Sequence, residues 1–389
     1  MDATQFSASD RGRVRRTLDG YAAFFPNPLP RKVELEHQTI LRFEEATAAL
    51  HRLAGVGLLL PDPSLLVAPY IRLEAVLSSR IEGTQTSVSE LLQFEAAPTP
   101  DAASQDAVEV LNYVKALDHG VSRLRQGFPL SLRLIREVHE RLLEGVRGQT
   151  QQPGEFRRSA NRIGPPGCGL ADATFVPPPI DEMHDALADL ERFLHEDGLP
   201  LLIRLAMAHH QFEVIHPFLD GNGRVGRLLM SLMLVDRGVL EQPLLYLSVY
   251  FERHRSRYYE LLLETSQTGD WTPWFDFFLD AVASQAKDAQ ARTLRLIGLQ
   301  ARTRQELLAS TGNTTVVRLG ELLLGKPVVT AASVARDLAV TPPTAQRAIG
   351  DLIERGVLEE ITGRRTNRVY LAKEIMDSVY GEGRSRRVA

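Results

Sequence analysis

The sequence predicts an all-α protein that ends in a winged helix-turn-helix. Apolar residues recur at helical spacing from about residue 33 to residue 311. One long segment, residues 153–179, is rich in Gly and Pro and lacks this periodicity, and loops of that length are usually functional or disordered. The last part of the chain reads as a helix, a second helix and a two-strand hairpin, which is the element order of a winged helix-turn-helix.

The composition favours a soluble protein with a sizeable core. Of the 389 residues, 44% are hydrophobic and 24% are charged. A formal net charge of -4 gives no overall attraction to nucleic acid, so any such contact needs a local basic patch. Cys168 is the only cysteine, which excludes an intramolecular disulfide and a Cys-rich zinc site. The sequence shows no signal peptide and no apolar run of membrane-spanning length, so we expect a cytoplasmic protein.

The helical patterns divide the chain into three predicted domains. Residues 1–105 form an N-terminal helical region, which begins with an extended, proline-rich arm, FFPNPLPRK. Residues 106–311 form the helical core. Residues 312–389 form the winged helix-turn-helix domain.

The C-terminal domain suggests that the protein is a DNA-binding regulator. Its second helix is opened by Thr341 and Pro342. Arg364, Arg365 and Arg368 lie in the hairpin, where a wing would contact phosphates. The helix that would enter the groove carries acidic as well as basic side chains, and winged helices also bind proteins. Both DNA and protein therefore stay open as partners of this domain.

The most informative segment is AHHQFEVIHPFLDGNGRVGRLLM, which predicts two helices joined by a short loop. Pro217 forces His216 out of helical geometry, so the first helix ends at Ile215. The second helix starts near Asn222, because apolar residues follow at helical spacing from Val225 onwards. The loop between them therefore ends at a helix N-terminus.

This loop has the residues of an anion site. A helix N-terminus offers free N–H groups and a positive dipole end, and glycines let a phosphate approach the backbone. Arg224 and Arg227 lie in the first turn, where both could reach the outer phosphates of a nucleotide. Asp220 suits a magnesium ion that bridges those phosphates, and His216 could accept a proton from a hydroxyl. The residues indicate transfer from a nucleotide to an alcohol.

Three other classes of site do not fit this segment. GNGRVG matches the dinucleotide-binding pattern formally, but a helix precedes it instead of a strand. The P-loop pattern occurs nowhere in the chain. His209, His210 and His216 lack the spacing of a zinc hydrolase.

The segment HPFLDGNGRVGR resembles the Fic family signature, H-P-F-x-[DE]-G-N-G-R-x-x-R, at every fixed position. The resemblance implies an all-α core with a small β-hairpin flap. It also implies transfer of AMP from ATP to a Ser, Thr or Tyr hydroxyl of a protein, with Mg²⁺, or Mn²⁺ instead. His216 would be the general base and Asp220 the metal ligand. The implied nucleotide-binding residues are Gly221, Asn222, Gly223, Arg224, Val225, Gly226, Arg227, Tyr258, Tyr259 and Leu262.

Two further regions take their roles from the same resemblance. The non-helical stretch that ends in ATFVPPP resembles the flap, which docks the target segment by strand addition. A plain surface loop is the alternative. Tyr258, Tyr259 and Leu262 fall where the adenine pocket lies in the family, with Tyr259 the better candidate because aromatic pairs on helices often belong to the core.

Glu82 is an acid at the unfavourable end of a helix. The helix stops at Gly83, and a carboxylate at its negative end is disfavoured by roughly 0.3 to 1 kcal/mol. Ser78, Glu82 and Gly83 match the family's inhibitory motif, [ST]-x-x-x-E-[GN]. The resemblance implies that Glu82 pairs with Arg227 and blocks the γ-phosphate. A surface glutamate paired with Arg80 is the alternative.

The family resemblance leaves several functional questions open. The same residues could remove AMP from a modified protein, with Glu82 positioning a water molecule. The target protein is not identified, and the chain itself is one candidate. A homodimer is a further expectation, because dimer rearrangement can relieve such an inhibitory glutamate.

Overall fold

The computed structural model describes residues 1–7, 9, 11–58, 63–98, 103–165, 167–363 and 365–381, and it confirms a mainly helical fold. Residues 59–62 and 99–102 lie outside the described residues. So does Arg364 of the predicted wing. None of the described helices is long and apolar enough to cross a membrane.

The predicted extended arm contains a β-hairpin. Strand β1 (Gly12–Arg16) pairs antiparallel with β2 (Ala22–Pro26). The backbone N–H of Phe24 donates to the carbonyl of Val176, 2.9 Å away. The hairpin therefore lies beside the Gly- and Pro-rich segment, with Phe24 packed against Phe175.

Three helices follow the arm. They are α1 (His37–Leu58), α2 (Pro63–Ile81) and α3 (Val88–Ala96). Gly83 has a φ of 99°, a left-handed conformation that glycine adopts without strain, and α2 ends just before it as predicted. Ser87 and Glu90 form a capping box that starts α3.

The centre of the molecule is a helical core. Its helices are α4 (Ala103–Arg125), α5 (Leu132–Leu142), α6 (Ile180–His195), α7 (Leu201–Ile215) and α8 (Asn222–Asp236). Helix α7 is buried around almost its whole circumference, and α8 is buried from Arg224 to Leu234. A helix that is apolar on most sides belongs to the interior. The loop between α7 and α8 is therefore held by the two most enclosed helices of the core.

A long helix extends this core towards the C-terminus. After α9 (Ser248–Arg253) and α10 (Arg255–Thr268), helix α11 runs from Thr272 to Ser310. Helix α1 lies along it. The predicted end of the helical region near Thr311 agrees with this boundary.

The C-terminal segment contains helices and a small sheet. Its elements are α12 (Thr314–Gly325), β3 (Val328–Thr330), α13 (Ala331–Leu338), α14 (Pro342–Glu354), β4 (Glu359–Glu360), β5 (Val369–Leu371) and α15 (Lys373–Tyr380). The strands pair antiparallel in the order β3, β5, β4. Thr341 caps α14 with its hydroxyl, and Pro342 opens it, as predicted. Strand β3 was not expected, and the assignment as a winged helix stays a prediction.

This C-terminal segment packs on the N-terminal helices. Helices α12 and α15 contact α2, and β3 lies beside α3. The hydroxyl of Thr330 donates to the carbonyl of Ala96 across this contact, 3.4 Å away. The three predicted domain boundaries stay predictions.

Candidate active site

His216 ends α7 in an unusual backbone conformation. Its φ is 48° and its ψ is 60°, the left-handed region that non-glycine residues rarely adopt. Its own N–H still bonds to the carbonyl of Phe212, 3.0 Å away. The chain therefore leaves the helix abruptly at His216, as Pro217 predicted.

The imidazole of His216 is neutral and has one nitrogen free to accept a proton. Its Nδ1 lies 3.3 Å from the carbonyl oxygen of Glu213, and because a carbonyl only accepts, Nδ1 carries the hydrogen. Burial lowers the pKa of His216 to about 4. At neutral pH, Nε2 is therefore unprotonated, which is the state that a general base needs.

Asn222 shapes the loop from within. Its Oδ1 accepts a hydrogen bond from the N–H of Phe218, and its Nδ2 donates to the carbonyl of the same residue, each at 2.8 Å. Asn161 also donates to that carbonyl, 2.9 Å away. The side-chain amide of Asn222 thus bonds to the loop backbone, and its role in nucleotide binding stays a prediction.

Asp220 is oriented from several sides and is partly exposed. Its Oδ1 accepts from the N–H of Gly221, 2.6 Å away, and lies 3.7 Å from Nη2 of Arg224. His139 donates from Nε2 to the backbone carbonyl of Asp220, 3.0 Å away, because its Nδ1 accepts from the N–H of Gly154. Burial lowers the pKa of His139 to about 4, which keeps this neutral tautomer.

The donor set at Asp220 fits magnesium held jointly with phosphates. Among the described residues no group of three His, Cys, Asp or Glu side chains could hold a metal by itself. Mg²⁺ is commonly bound by one or two carboxylates, with substrate phosphates and water completing its octahedron. The exposed carboxylate of Asp220 can supply that single protein ligand.

A carboxylate of the chain itself, that of Glu82, lies against the start of α8. Gly221 has a φ of 78°, which a side chain would strain. A Cβ atom on Gly223 would lie 2.3 Å from Oε1 of Glu82. Glycine at position 223 therefore lets the Glu82 carboxylate approach the helix N-terminus, where an anion is stabilised.

Arg227 binds the end of α2 through three hydrogen bonds. Its Nη2 donates to Oε1 of Glu82 at 2.8 Å and to the carbonyl of Ser78 at 2.9 Å, and its Nε donates to the Ser78 hydroxyl at 2.8 Å. Arg80, the alternative partner of Glu82, lies 3.8 Å from Glu252. The structure thus brings together the predicted Glu82–Arg227 pair.

The pKa directions agree with a tight ion pair. Burial opposes the ionisation of Glu82, but the charge and the hydrogen bond of Arg227 outweigh it and lower the pKa of Glu82. Burial likewise opposes the charge on Arg227, while Glu82 raises the pKa of Arg227 above its ordinary value. Both side chains are therefore charged at neutral pH.

Arg224 lies in a different environment from Arg227. Its side chain is buried, and Nη1 lies 3.3 Å from Oε2 of Glu109, a buried residue of α4. Burial raises the pKa of Glu109, although Arg224 and Arg147 oppose that shift. Arg224 was expected to bind outer phosphates, and in this structure its guanidinium is paired with Glu109.

The three residues expected in the adenine pocket are placed differently from one another. Tyr258 is buried, stacks on Phe251 and lies with its hydroxyl 2.8 Å from Nε2 of His209. Tyr259 is exposed and donates from its hydroxyl to the carbonyl of Ile81, 3.3 Å away. Leu262 is half-buried. Tyr259 is therefore the one that reaches the end of α2.

The segment predicted as a flap, residues 153–179, contains one β-bridge among its described residues. Ile163 and Phe175 exchange backbone hydrogen bonds of 2.8 and 3.0 Å. The outer side of the Phe175 strand is occupied by the N-terminal hairpin, through the bond from Phe24 to Val176. Docking of a target along this flap stays a prediction.

Sequence reasoning missed three residues that hold the site together. His139 stacks on Phe218 with ring centroids 3.7 Å apart, Glu109 binds Arg224, and Arg157 binds the carbonyl of His216. His139 and Glu109 lie within helices whose patterns only showed amphipathicity. Arg157 lies at the edge of the Gly- and Pro-rich segment, where its neighbour Arg158 looks equivalent.

Two parts of the chain match the profiles of known families. Residues 40–122 match the profile described as Fic/DOC family N-terminal, and residues 129–234 match the profile described as Fic/DOC family. The fold and the motif loop thus define a helical protein of the Fic class. This chain belongs to the Fic/DOC family.

Two of the curated relatives are both called protein adenylyltransferase Fic. A protein from Drosophila virilis called protein adenylyltransferase Fic is 31% identical over 205 residues, which cover 51% of this chain and 39% of that protein. Its namesake in Drosophila ananassae is 30% identical over 175 residues, covering 44% of this chain and 32% of that protein. The chain thus matches less than half of the length of these curated relatives.

Solved structures support the fold. A Fic family protein from Desulfovibrio desulfuricans G20 superposes with a TM-score of 0.58 at 18% identity, covering 88% of this chain and 98% of the other. Residues 134–508 of Fic-1 from C. elegans superpose with a TM-score of 0.50 at 20% identity, covering 67% of this chain and 74% of the other. At these identities the likeness concerns the fold alone.

Proposed function

We propose that this protein transfers AMP from ATP to a Ser, Thr or Tyr hydroxyl of a target protein, and that Glu82 inhibits the transfer. One observation carries the proposal: the Glu82 carboxylate binds Arg227 and lies against Gly223 at the start of α8, in the site that holds a neutral histidine. The curated relatives named protein adenylyltransferase Fic support the AMP-transferring class.

The reaction follows from the positions of His216 and the start of α8. Nε2 of His216 accepts the proton of the target hydroxyl, whose oxygen forms a bond to the α-phosphorus of ATP. The bond from the α-phosphorus to the bridging oxygen breaks, and pyrophosphate leaves. The free N–H groups at the start of α8 bind phosphate oxygens. A bound Mg²⁺ ion at Asp220 would neutralise phosphate charge.

Inhibition follows from the contacts of Arg227. Its Nε and Nη2 donate to Ser78 and Glu82, and the negative charge of Glu82 neutralises the cation that a phosphate would bind. An ATP molecule would have to displace the Glu82 carboxylate or bind with its γ-phosphate elsewhere. Because in-line transfer depends on positioning, a displaced phosphate chain keeps the α-phosphorus away from the hydroxyl.

The decisive experiment compares Glu82→Gly with the unchanged protein, using ATP labelled in the α-phosphate. We expect label incorporation into the chain itself or into extract proteins to rise at least about tenfold, and His216→Ala to abolish it, because a lost general base alone costs roughly 10²- to 10⁴-fold. Gln85→Gly is a matched control, since it loosens the same exposed turn but keeps the carboxylate.

Each outcome decides a separate part of the proposal. Equal incorporation by Glu82→Gly and by the unchanged protein would remove the inhibitory role of Glu82. Label from the γ-phosphate instead of the α-phosphate would replace AMP transfer with phosphoryl transfer. If the unchanged protein strips AMP from chains that Glu82→Gly has modified, then Glu82 also serves the reverse reaction, by positioning a water molecule.

DNA binding is a second candidate function, for the C-terminal segment. Gln346 and Arg347 are exposed on α14, and Arg365 and Arg368 are exposed in the hairpin after it. Exposed basic and amide side chains on one helix and an adjacent hairpin suit phosphate and base contacts. We expect a salt-dependent shift of duplex DNA that Arg365→Ala with Arg368→Ala abolishes. A shift that survives both substitutions would exclude this interface.

A further inference from the structure

Arg157 is a buried cation that is satisfied by backbone carbonyls. It is among the largest fully buried side chains, and within the described part of the chain no carboxylate lies within ion-pair distance of it. Its Nε donates to the carbonyl of His216 at 2.9 Å. Its two Nη atoms donate to the carbonyls of Ser159 at 3.2 Å, Pro178 at 2.6 Å and Ile215 at 3.4 Å.

These carbonyls belong to two parts of the site. Ser159 and Pro178 lie near the two ends of the flap, so one guanidinium holds both of its strands at their base. Ile215 and His216 are the last residue of α7 and the proposed general base. The backbone N–H of Arg157 adds a bond to the carbonyl of Pro217, 2.9 Å away. Arg157 therefore joins the flap directly to the residue that would accept the proton.

A charge in this position is costly, and packing alone does not require it. Burial lowers the pKa of Arg157 to about 10. A buried charge is tolerated only when its hydrogen-bonding groups are satisfied, and the planar guanidinium can bind several carbonyls in fixed directions. Lysine has a single point of charge and cannot reproduce this geometry. The cation is thus suited to fixing backbone segments relative to each other.

The bond to His216 also bears on the backbone of that residue. The left-handed conformation of His216 is sparsely populated, and such conformations persist where surrounding contacts determine them. Nε of Arg157 donates to the carbonyl of His216 in the direction that this conformation gives the carbonyl. Losing the bond would allow the peptide, and with it the imidazole, to turn.

We propose that Arg157 is the positioning residue that sets the flap and the His216 imidazole in one fixed geometry. A target segment docked on the flap then brings its hydroxyl to Nε2 of His216. This inference rests on the proposed function. It assigns to Arg157 an effect on transfer to the hydroxyl and none on the affinity for ATP, because Arg157 contacts neither Arg227 nor the start of α8.

The test uses Arg157→Met and Arg157→Lys in the Glu82→Gly chain, with Arg158→Met as a matched control. Arg158 is the adjacent arginine, with a side chain that is 78% exposed. We expect Arg157→Met to lower incorporation of the α-phosphate label about 100-fold, since a displacement of about 1 Å at a reacting group costs that much. The ATP affinity of Arg157→Met, measured by calorimetry, should stay within about twofold of the parent value. Label incorporation should be intermediate in Arg157→Lys and unchanged in Arg158→Met.

Two readouts test the coupling without any activity. Exchange of the Ile163 and Phe175 amides, measured by NMR, should become at least about tenfold faster in Arg157→Met, because the base of the flap loses its shared anchor. The pKa of His216, measured by NMR titration, should rise towards the ordinary value near 6.5 as the imidazole turns to water. Arg158→Met should change neither.

The outcomes separate this proposal from the proposed function. If the Glu82→Gly chain incorporates no label, AMP transfer is wrong, while amide exchange and the His216 titration still decide the coupling. A folded Arg157→Met chain with unchanged exchange, titration and transfer overturns the role of Arg157. Loss of ATP affinity in parallel with transfer also overturns it, because the effect would then be a collapse of the whole site. If Arg157→Met does not fold, Arg157→Lys gives the same comparisons.

Discussion

Two arginines on successive turns of α8 carry similar ion pairs that differ in their surroundings. The side chains of Arg224 and Arg227 are each 1% exposed, and each is paired with a glutamate from another part of the chain. The partner of Arg224 is Glu109, 4% exposed and set inside α4. The partner of Arg227 is Glu82, 31% exposed and located just after the end of α2.

The difference teaches which pair can open. Glu109 is enclosed by its own helix and by α8, so separating it from Arg224 would leave that buried cation with only the more distant Asp220. Glu82 can move with the turn that follows α2, and water can reach its carboxylate once it leaves. The first pair therefore belongs to the framework of the site, and the second has the properties of a reversible contact.

The largest expected effect comes from breaking the enclosed pair. Glu109→Ala leaves Arg224 buried beside only the more distant Asp220, and we expect the free energy of unfolding to fall by about 3 kcal/mol. Urea unfolding measures this change. Glu144→Ala, an exposed residue at the end of the next helix, is the control and should change little. A loss of unfolding free energy below 1 kcal/mol would show that Glu109 contributes little to stability. The Glu109–Arg224 pair would then not differ from the Glu82–Arg227 pair.

A smaller loss of stability is expected from a substitution at Gly223, which lies against the Glu82 carboxylate. A methyl group there would overlap the Glu82 carboxylate at 2.3 Å, so Gly223→Ala should destabilise the chain by about 1 to 3 kcal/mol through overpacking. In a chain that already carries Glu82→Ala, most of that penalty should vanish. A double-mutant cycle by urea unfolding measures the coupling. If the two losses of unfolding free energy are additive, the Glu82 side chain does not lie against Gly223 in solution.

The smallest expected effect is the pH dependence of the stability that Glu82 contributes. The pKa of Glu82 is lowered in the folded state, so its contribution to stability is present above the unfolded value of about 4.3 and is lost as pH falls through the lower, folded value. The difference in unfolding free energy between the unchanged chain and Glu82→Gln should be constant from pH 8 to about pH 5. It should shrink only below about pH 4. A difference that disappears already near pH 6 would contradict a charged pair.

The sequence was sufficient for the motif loop and for the pair that involves Glu82. His216, Asp220 and the start of α8 lie within one short segment, where local rules of proline and glycine apply. The contact of Glu82 with Arg227 came from the family's motif, because no local rule connects residues 145 positions apart. The helical class followed from periodicity, and local signals located the ends of α2 and α7 and the starts of α8 and α14.

The supporting residues could not be predicted, because their partners are distant and carry no signature. Glu109 and Arg224 are separated by 115 positions, and neither α4 nor the segment around Arg157 suggests a buried charge. Arg157 bonds mainly to carbonyls, which every residue possesses, so its partners have no side-chain pattern at all. Tyr258 could not be assigned for a different reason: an aromatic residue on a helix is typical both of a ligand pocket and of a hydrophobic core.

The burial of α7 has a consequence for the order in which parts of the molecule open. Amide protons in its central turns can exchange with solvent only when the core itself unfolds, whereas the exposed turn at residues 82–85 can open locally at a much lower free energy. The motif loop begins at the end of α7 and thus shares the lifetime of the native state. Release of Glu82 from Arg227 therefore requires only a local fluctuation, whereas loss of the motif loop requires global unfolding.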